Sequence, residues 1–187
     1  MKVKPVLCGE FGGANYSPRD KFLRIVWLVV YVLFFKYSPT PFYGYRSLIL
    51  RIFGASVGKG SRVYPGCKIW WPGNLSIGDF SAVANGVELY NQGEIFIGSR
   101  VVVSQGAYLC ASTHDYSQKE HSLILKDIYI EDDVWVCAKA FIGPGAKIQV
   151  GGILGAGGVF FGIMDSWSVY GGNPAVKIKA REPIHEV

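Results

Sequence analysis

Three histidines, His114, His121 and His185, are the side chains best suited to acid–base chemistry in this 187-residue chain. A neutral imidazole titrates near working pH and can take a proton from an attacking hydroxyl group. His114 lies in the segment STHDY, between Ser112 and Asp115. Either neighbour would orient the imidazole or donate a hydrogen bond to it, although an ordinary polar loop explains both equally well. No role is assigned to His121 or to His185, which lies near the C-terminus.

The composition indicates which class of ligand the protein binds and in which cellular compartment it works. The formal charge is +5, yet no run of Lys or Arg exceeds a pair and no nucleic-acid motif is visible. A phosphate-bearing small molecule is therefore favoured over nucleic acid. The four cysteines, Cys8, Cys67, Cys110 and Cys137, show no CxxC pairing and no dense spacing. Reduced thiols in a cytoplasmic protein are the expectation, and neither a metal nor a redox cofactor is implied.

The elements that must position these groups are visible in a six-residue repeat. Neither a helix nor an alternating strand has this period. Three short strands per 18-residue coil produce it, with a bulky residue inside each face and a permissive residue at each corner. The pattern predicts an all-β parallel β-helix. Fifteen positions of the six-residue repeat are apolar: Val57, Val63, Ile69, Ile77, Val83, Leu89, Ile97, Val103, Leu109, Ile130, Val136, Ile142, Ile148, Leu154 and Phe160.

Interruptions of the repeat locate the loops. Short bulges of two residues fall at WPGNLS and YNQGEI, and the long excursion falls at 111–127, where it contains His114. Insertions in a solenoid emerge on its flanks, where function usually lies. The predicted organisation is an N-terminal helical extension over 1–54, a β-helix over 55–172 with its protruding loop, and a C-terminal tail over 173–187.

Residues 22–35, FLRIVWLVVYVLFF, form the most apolar stretch of the chain. Its uninterrupted part is well short of the roughly 20 residues needed to span a bilayer. Two interpretations stay open. The stretch is either a buried helix that covers one end of the core, or an interfacial helix flanked by Lys21, Arg24 and Lys36 that makes a peripheral membrane contact.

Several motifs together resemble a known family. The hexapeptide pattern, the STHDY loop, DDVWVCAKAFIGPGAKI, LGAGGV and GGNPAVKIKAR resemble the bacterial hexapeptide-repeat acetyltransferases. The nearest branch is that of the maltose, galactoside and Nod-factor O-acetyltransferases, and within it the polysaccharide-biosynthesis enzymes of the colanic acid type. The resemblance covers roughly residues 45–182. It implies a left-handed β-helix that uses acetyl-CoA to O-acetylate a sugar in polysaccharide biosynthesis.

The resemblance also assigns roles to residues. It makes His114 the catalytic base, with Asp115 beside it, and places Asn85 and Asn91 near the acceptor sugar. The sequence departs from the family's acidic pattern at Gln92-Gly93-Glu94. The donor would meet the following residues: Trp135, Ala138, Gly155, Ala156, Gly157 and Lys179. Lys179 would contact phosphate; a generic basic tail that aids solubility is the other interpretation of these cations. The segment FFGIMDSW replaces the family's usual Lys-Asp-Ile-Pro turn.

Alternatives of other classes remain. An antibiotic acetyltransferase of the chloramphenicol or streptogramin type would use the same base chemistry, but it has no evident need for an apolar N-terminal helix. A non-catalytic β-helix scaffold would not need His114 or Trp135. A γ-class carbonic anhydrase would need three converging histidines, which this chain does not offer. By resemblance, the chain is expected to form a homotrimer in the cytoplasm or at the inner face of the plasma membrane.

Overall fold

The six-residue repeat folds into six stacked coils of short parallel strands. The computed structural model describes Lys2, residues 6–7 and residues 14–183, so Cys8 and His185 lie outside the described residues. Two short strands precede the helices, and β1 (Val6–Leu7) pairs antiparallel with β2 (Ala14–Asn15). The predicted all-β left-handed β-helix with a helical N-terminal part is confirmed.

The strands of the solenoid follow one another around three faces. The first three coils contain β3 (Ser56–Val57), β4 (Arg62–Val63), β5 (Lys68–Ile69), β6 (Leu75–Ile77), β7 (Ala82–Val83), β8 (Glu88–Tyr90), β9 (Ile95–Ile97), β10 (Val102–Val103) and β11 (Tyr108–Cys110). A hairpin follows, made of β12 (Ser112–His114) and β13 (Leu123–Leu125). The last three coils contain β14 (Ile128–Ile130), β15 (Trp135–Val136), β16 (Phe141–Ile142), β17 (Lys147–Ile148), β18 (Ile153–Leu154), β19 (Val159–Phe160), β20 (Ile163–Met164), β21 (Ser168–Gly172) and β22 (Ala175–Ala180).

Each face is one sheet, and the faces are named here by the strands they contain. Face 1 is β3, β6, β9, β14, β17 and β20; face 2 is β4, β7, β10, β15, β18, β21 and β22; face 3 is β5, β8, β11, β16 and β19. Corner 2/3 therefore holds residues 137–140 and 155–158, and corner 3/1 holds the loop 111–127. The loop leaves the solenoid between its third and fourth coils.

The core is the apolar interior of this prism. All fifteen apolar positions of the repeat are buried, and none is more than 6% exposed. Parallel register stacks them in columns, as where Val83 lies between Val63 and Val103. Small residues such as Ala107, Ala140 and Ala146 share the interior and leave room for the bulky ones. The period is six because each coil of 18 residues places one such position on each of its three faces.

Two helices cover the first coils. Helix α1 (Pro18–Val30) continues as a π-helical turn (Tyr31–Phe35), and α2 (Tyr43–Ile52) follows; a short 3-10 helix (Pro72–Asn74) lies between β5 and β6. Ser17 caps α1 by accepting a hydrogen bond from the Asp20 amide at 3.1 Å, and Pro18 begins the helix, where its missing N–H is harmless. No helix among the described residues is both long and apolar enough to cross a membrane.

Helix α1 packs on the solenoid through one side only. Trp27 and Phe35 are buried, and the Trp27 indole donates to the Ile69 carbonyl at 2.9 Å. The opposite side, which includes Phe22 and Leu33, is exposed. Of the two interpretations of residues 22–35, the buried helix describes only the side that contains Trp27 and Phe35, and the exposed side leaves the interfacial helix open.

Arg46 of α2 fastens the helical extension to the first coil. Its side chain is fully buried and donates to the carbonyls of Val63 at 2.6 Å and Pro39 at 2.8 Å, and to the Ser38 hydroxyl at 2.9 Å. A buried guanidinium is tolerable here because carbonyl and hydroxyl oxygens surround it. At the other end of the chain, β22 pairs antiparallel with β21 and extends face 2. The segment expected as a tail thus contains a strand of the solenoid's sheet.

Candidate active site

His114 stands at the end of a hairpin that is anchored at its base. Strand β12 pairs with β13 so that His114 faces Leu123, which is buried. Ser112, two residues earlier, is also buried and donates to the Gln92 side-chain oxygen at 2.8 Å. The amide of Lys126 closes the base by donating to the Ala111 carbonyl at 3.0 Å. The hairpin therefore holds the backbone of an exposed histidine in place.

A main-chain carbonyl selects the tautomer of the neutral His114 imidazole. Nδ1 of His114 lies 2.6 Å from the carbonyl oxygen of His121. Because a carbonyl oxygen can only accept, this hydrogen bond requires the proton on Nδ1 and leaves Nε2 as the acceptor nitrogen of the neutral ring. A free Nε2 lone pair is what a general base needs. His121 has φ +46°, in the left-handed region, as part of the turn that presents this carbonyl.

Asp115 has partners other than His114. Its carboxylate accepts hydrogen bonds from the Ser117 amide at 3.0 Å and the Ser117 hydroxyl at 2.5 Å. The hydrogen bond from the Ser117 hydroxyl, and after it the bond from the Ser117 amide, hold the pKa of Asp115 below its usual value. Its own amide donates to the Ser122 carbonyl at 2.8 Å. Asp115 therefore shapes the loop around the base, and the His121 carbonyl takes the orienting contact that Asp115 was expected to supply.

The two asparagines predicted for the acceptor lie in different environments. Asn91 is fully buried, and its amide group accepts from the Trp71 N–H at 3.2 Å and donates to the Trp71 carbonyl at 2.7 Å. Its side chain therefore bridges two coils inside corner 3/1 and is not presented to a ligand. Asn85 is exposed at corner 2/3, and its oxygen accepts from the Gly66 amide at 2.9 Å. The structure does not bring either side chain into contact with His114.

Trp135 lies on the outside of face 2 and is held in a defined orientation. It is 47% exposed, whereas Val134 and Val136 on either side are buried. Its indole N–H donates to the Ser104 hydroxyl at 2.9 Å, one coil below. The ring therefore presents a fixed apolar surface to solvent. Sequence reasoning missed Ser104, although it follows Val103 directly and so falls at the corner that stacks beneath Trp135's coil.

The corner at Gly155, Ala156 and Gly157 carries only small side chains, and part of its main-chain hydrogen bonding is satisfied within the solenoid. Gly157 has φ +66° and no atom within 4 Å of the place a Cβ would take, so a side chain there is disfavoured by the backbone and not by crowding. Its amide donates to the Ala138 carbonyl at 2.9 Å, and the Gly155 amide donates to the Tyr170 carbonyl at 2.8 Å. Two of the corner's three amides are thus already bonded within the solenoid. This corner therefore favours a ligand by allowing its close approach to the main chain, more than by donating amide hydrogen bonds to it.

Of the three cations of the last segment, Lys179 is the one left uncompensated within the described residues. Lys177 pairs with Asp165 at 2.9 Å, and Arg181 donates to the carbonyls of Asp133 at 3.0 Å and Gly151 at 2.8 Å. Lys179 is exposed on β22, opposite Val169. It belongs to the same face as Trp135, three strand spacings away, or roughly 14 Å. An extended phosphorylated ligand can span that distance.

These groups do not meet within one chain. The predicted donor residues lie on face 2 and at corner 2/3, whereas the His114 loop leaves from corner 3/1. The width of face 3 separates the two corners. Among the described residues, no three His, Cys, Asp or Glu side chains cluster as metal ligands would.

Comparisons with known proteins fit this architecture. No protein-family model matches the chain. A protein of Escherichia coli strain K12 named for colanic acid biosynthesis, the acetyltransferase WcaF, is 36% identical over 156 residues, which cover 83% of this chain and 86% of that protein.

Two solved structures share the fold. The hexapeptide-repeat acetyltransferase VCA0836 of Vibrio cholerae O1 biovar eltor, solved with acetyl-CoA, has a TM-score of 0.80 at 22% identity and covers 93% of this chain and 97% of its own. A maltose O-acetyltransferase of Clostridium difficile 630 has a TM-score of 0.78 at 23% identity over 93% and 96% of the two chains. The solved structures support the fold, and the identity to the E. coli protein over most of both chains shows the family. The chain belongs to the hexapeptide-repeat acetyltransferase family.

Proposed function

We propose that this protein transfers an acetyl group from acetyl-CoA to a sugar hydroxyl in polysaccharide biosynthesis, with His114 as the general base. The observation that carries the proposal is the 2.6 Å contact between Nδ1 of His114 and the His121 carbonyl, which leaves Nε2 free to accept a proton. The E. coli relative named for colanic acid biosynthesis, alike over most of both chains, supports the polysaccharide context. The cytoplasm is the proposed compartment, since acetyl-CoA is made and used there.

The proton balance of the reaction follows from that geometry. Nε2 of His114 takes the hydroxyl proton while the sugar oxygen attacks the thioester carbonyl. The C–S bond then breaks, and the imidazolium returns its proton to the departing thiolate. The products are an acetyl ester and the CoA thiol, and the imidazole is neutral again. The His121 carbonyl stabilises the intermediate imidazolium because it keeps accepting from Nδ1–H throughout.

The residues of face 2 fit an extended phosphorylated donor. The oriented ring of Trp135 flanks the path, and the corner at Gly155–Gly157 has no bulky side chain to obstruct close approach. Lys179 is a cation that no carboxylate of the described residues pairs with. A lysine ammonium binds phosphate as a point charge. Asn85 stays a candidate for the acceptor side because it is exposed; Asn91, enclosed by the main chain of Trp71, is not a candidate.

The complete site is proposed to form between subunits of a homotrimer. His114 and the donor residues lie at different corners of one prism, so a neighbouring copy must bring its donor face to the loop. Mixing subunits tests this. His114→Ala and Ala156→Trp subunits, each inactive alone, should together regain about one quarter of wild-type sites after random reassembly. No recovery, with trimers confirmed by light scattering, would place both halves of the site in one chain.

Release of CoA thiol from acetyl-CoA is the test of the function itself. The acceptor panel contains sugars, nucleotide sugars and chloramphenicol. His114→Ala should lower a sugar-dependent rate by roughly 10²–10⁴. His121→Asn is the matched control, because it keeps the carbonyl and tolerates the left-handed backbone. Turnover of chloramphenicol alone would favour the antibiotic-modifying class, and a chain that neither binds acetyl-CoA nor turns over any acceptor would be a scaffold.

A further inference from the structure

The helical extension exposes far more apolar surface than the solenoid does. Among the described residues, ten large apolar side chains between positions 22 and 52 are at least half exposed, against six in residues 53–183. The ten are Phe22, Ile25, Leu28, Val29, Leu33, Phe34, Tyr37, Phe42, Leu48 and Ile52. A concentration of this kind marks an interaction surface, because isolated surface apolar residues would be scattered evenly.

The helical part of the extension also has an excess of positive charge, to which every cation but the buried Arg46 contributes at or near the surface. Residues 16–53 contain six of the 19 basic residues and one of the 14 acidic residues, which amounts to +5; the remainder of the chain is balanced. Apolar side chains beside an excess of cations suit a surface that is both apolar and anionic. A second copy of this surface would bring like charges together, so self-association through it is disfavoured.

A groove between α1 and face 3 opens onto this surface. Its volume is about 520 Å³, and its walls include Ile25 and Leu28 of α1 and Tyr90 of β8. Ile25 and Leu28 are also members of the exposed set, so the groove and the apolar surface are continuous. The acid in the groove, Glu88, is paired with Lys68 at 3.2 Å.

Arg24 is the unusual member of this groove. Its guanidinium lies over the Trp70 ring at 3.9 Å from the centroid, and its buried Nε has no hydrogen-bond partner in the part of the chain that the structure describes. No carboxylate among the described residues pairs with it, and burial lowers its pKa from the ordinary value. A buried donor on a charged group is costly unless an acceptor reaches it. The planar guanidinium matches the oxygens of a phosphate, and Lys21 lines the same groove.

We propose that the extension docks on an anionic phospholipid membrane, with a lipid phosphate bound by Arg24 in the groove and the apolar side of α1 in contact with the acyl chains. The groove's apolar walls favour a lipid over a free phosphate, because inorganic phosphate has no part to place against Ile25 and Leu28. The proposal does not depend on acetyl transfer, since membrane binding is measured without turnover.

Flotation of the full chain with vesicles tests the proposal. The protein should float with phosphatidylcholine vesicles that contain one third phosphatidylglycerol, bind pure phosphatidylcholine weakly, and dissociate as salt rises. Arg24→Gln should lower the partition coefficient about fivefold or more, because one cation near the surface is lost. Lys59→Gln, a matched charge loss on the solenoid, should change it less than about twofold. Leu33→Gln should lower it about tenfold through lost apolar burial.

Each other outcome overturns the proposal. Equal binding to both vesicle types, or no binding to either, removes the anionic membrane as partner. Wild-type binding by Arg24→Gln, with an unchanged melting temperature, removes the phosphate site. Concentration-dependent self-association that Leu33→Gln abolishes would assign the surface to a second copy. Inorganic phosphate that binds at Arg24 while vesicles do not would make the groove a site for free anions.

Discussion

Replacement of Asn91 by alanine separates a structural role from a role in binding the acceptor. The substitution removes two buried hydrogen bonds to the main chain of Trp71 and leaves a small cavity in corner 3/1. Two bonds of this kind, together with the desolvation of the groups they served, amount to about 2–4 kcal/mol of unfolding free energy. For a chain of this length the melting temperature should fall by roughly 5–15 °C.

The assay combines thermal unfolding with kinetics on the folded enzyme. Melting is followed at one fixed protein concentration, because association shifts the midpoint. Asn85→Ala is the matched control, since Asn85 is exposed and makes one hydrogen bond, and it should cost less than about 1 kcal/mol. Below the transition, Asn91→Ala should keep its KM for the acceptor. An unchanged melting temperature with a KM raised tenfold would refute the structural role and return Asn91 to the acceptor site.

Three further outcomes are expected. Lys179→Gln should raise the KM for acetyl-CoA about three- to tenfold at low salt, whereas Lys177→Gln, already paired with Asp165, should change it less; equal effects would argue against a phosphate contact at Lys179. Cys67 is fully buried and burial raises the pKa of its thiol, so a thiol reagent should label it only after unfolding, and native labelling at the rate of Cys110 would contradict this. The lowered pKa of Asp115 means that its bonds to Ser117 stabilise the loop at neutral pH and are lost as pH falls through that pKa; Ser117→Ala should move the pKa back up in an NMR titration, and no movement would exclude the hydroxyl as its cause.

The solenoid could be predicted from the sequence because every coil repeats the same physical requirement. A position that points into the prism must be apolar in each coil, and the fifteen positions found by period are all buried. The family and the fold that this repeat predicted are both confirmed. The helical extension could not be predicted to the same depth. A run such as Ile25–Phe35 is apolar on all sides, so its composition does not reveal that Trp27 and Phe35 face the protein while Leu33 faces outward.

The candidate site also contains features that the sequence could predict and features that it could not. His114 could be predicted as the base because it lies in the long loop of a regular solenoid and matches the catalytic histidine of the resembling family. The carbonyl of His121 was missed because a main-chain acceptor has no signature in residue type. The predicted role of Asn91 depended on counting across the two-residue bulge at YNQGEI, where the six-residue register no longer says which side chains point inward. The structure places that side chain inside.

A narrow prism explains why the proposed chemistry would need more than one copy. Each inward position is filled by the core, so a single coil cannot also enclose a substrate, and reactive groups must stand outside, at corners and on loops. In this chain the hairpin of β12 and β13 projects from corner 3/1, while Trp135 and the Gly155–Gly157 corner lie across face 3 from it. The base of the hairpin is held by the hydrogen bond from the Ser112 hydroxyl to the Gln92 side-chain oxygen at 2.8 Å. Because the hairpin carries His114 but none of the stacked coils, we expect that shortening it removes activity without unfolding the solenoid.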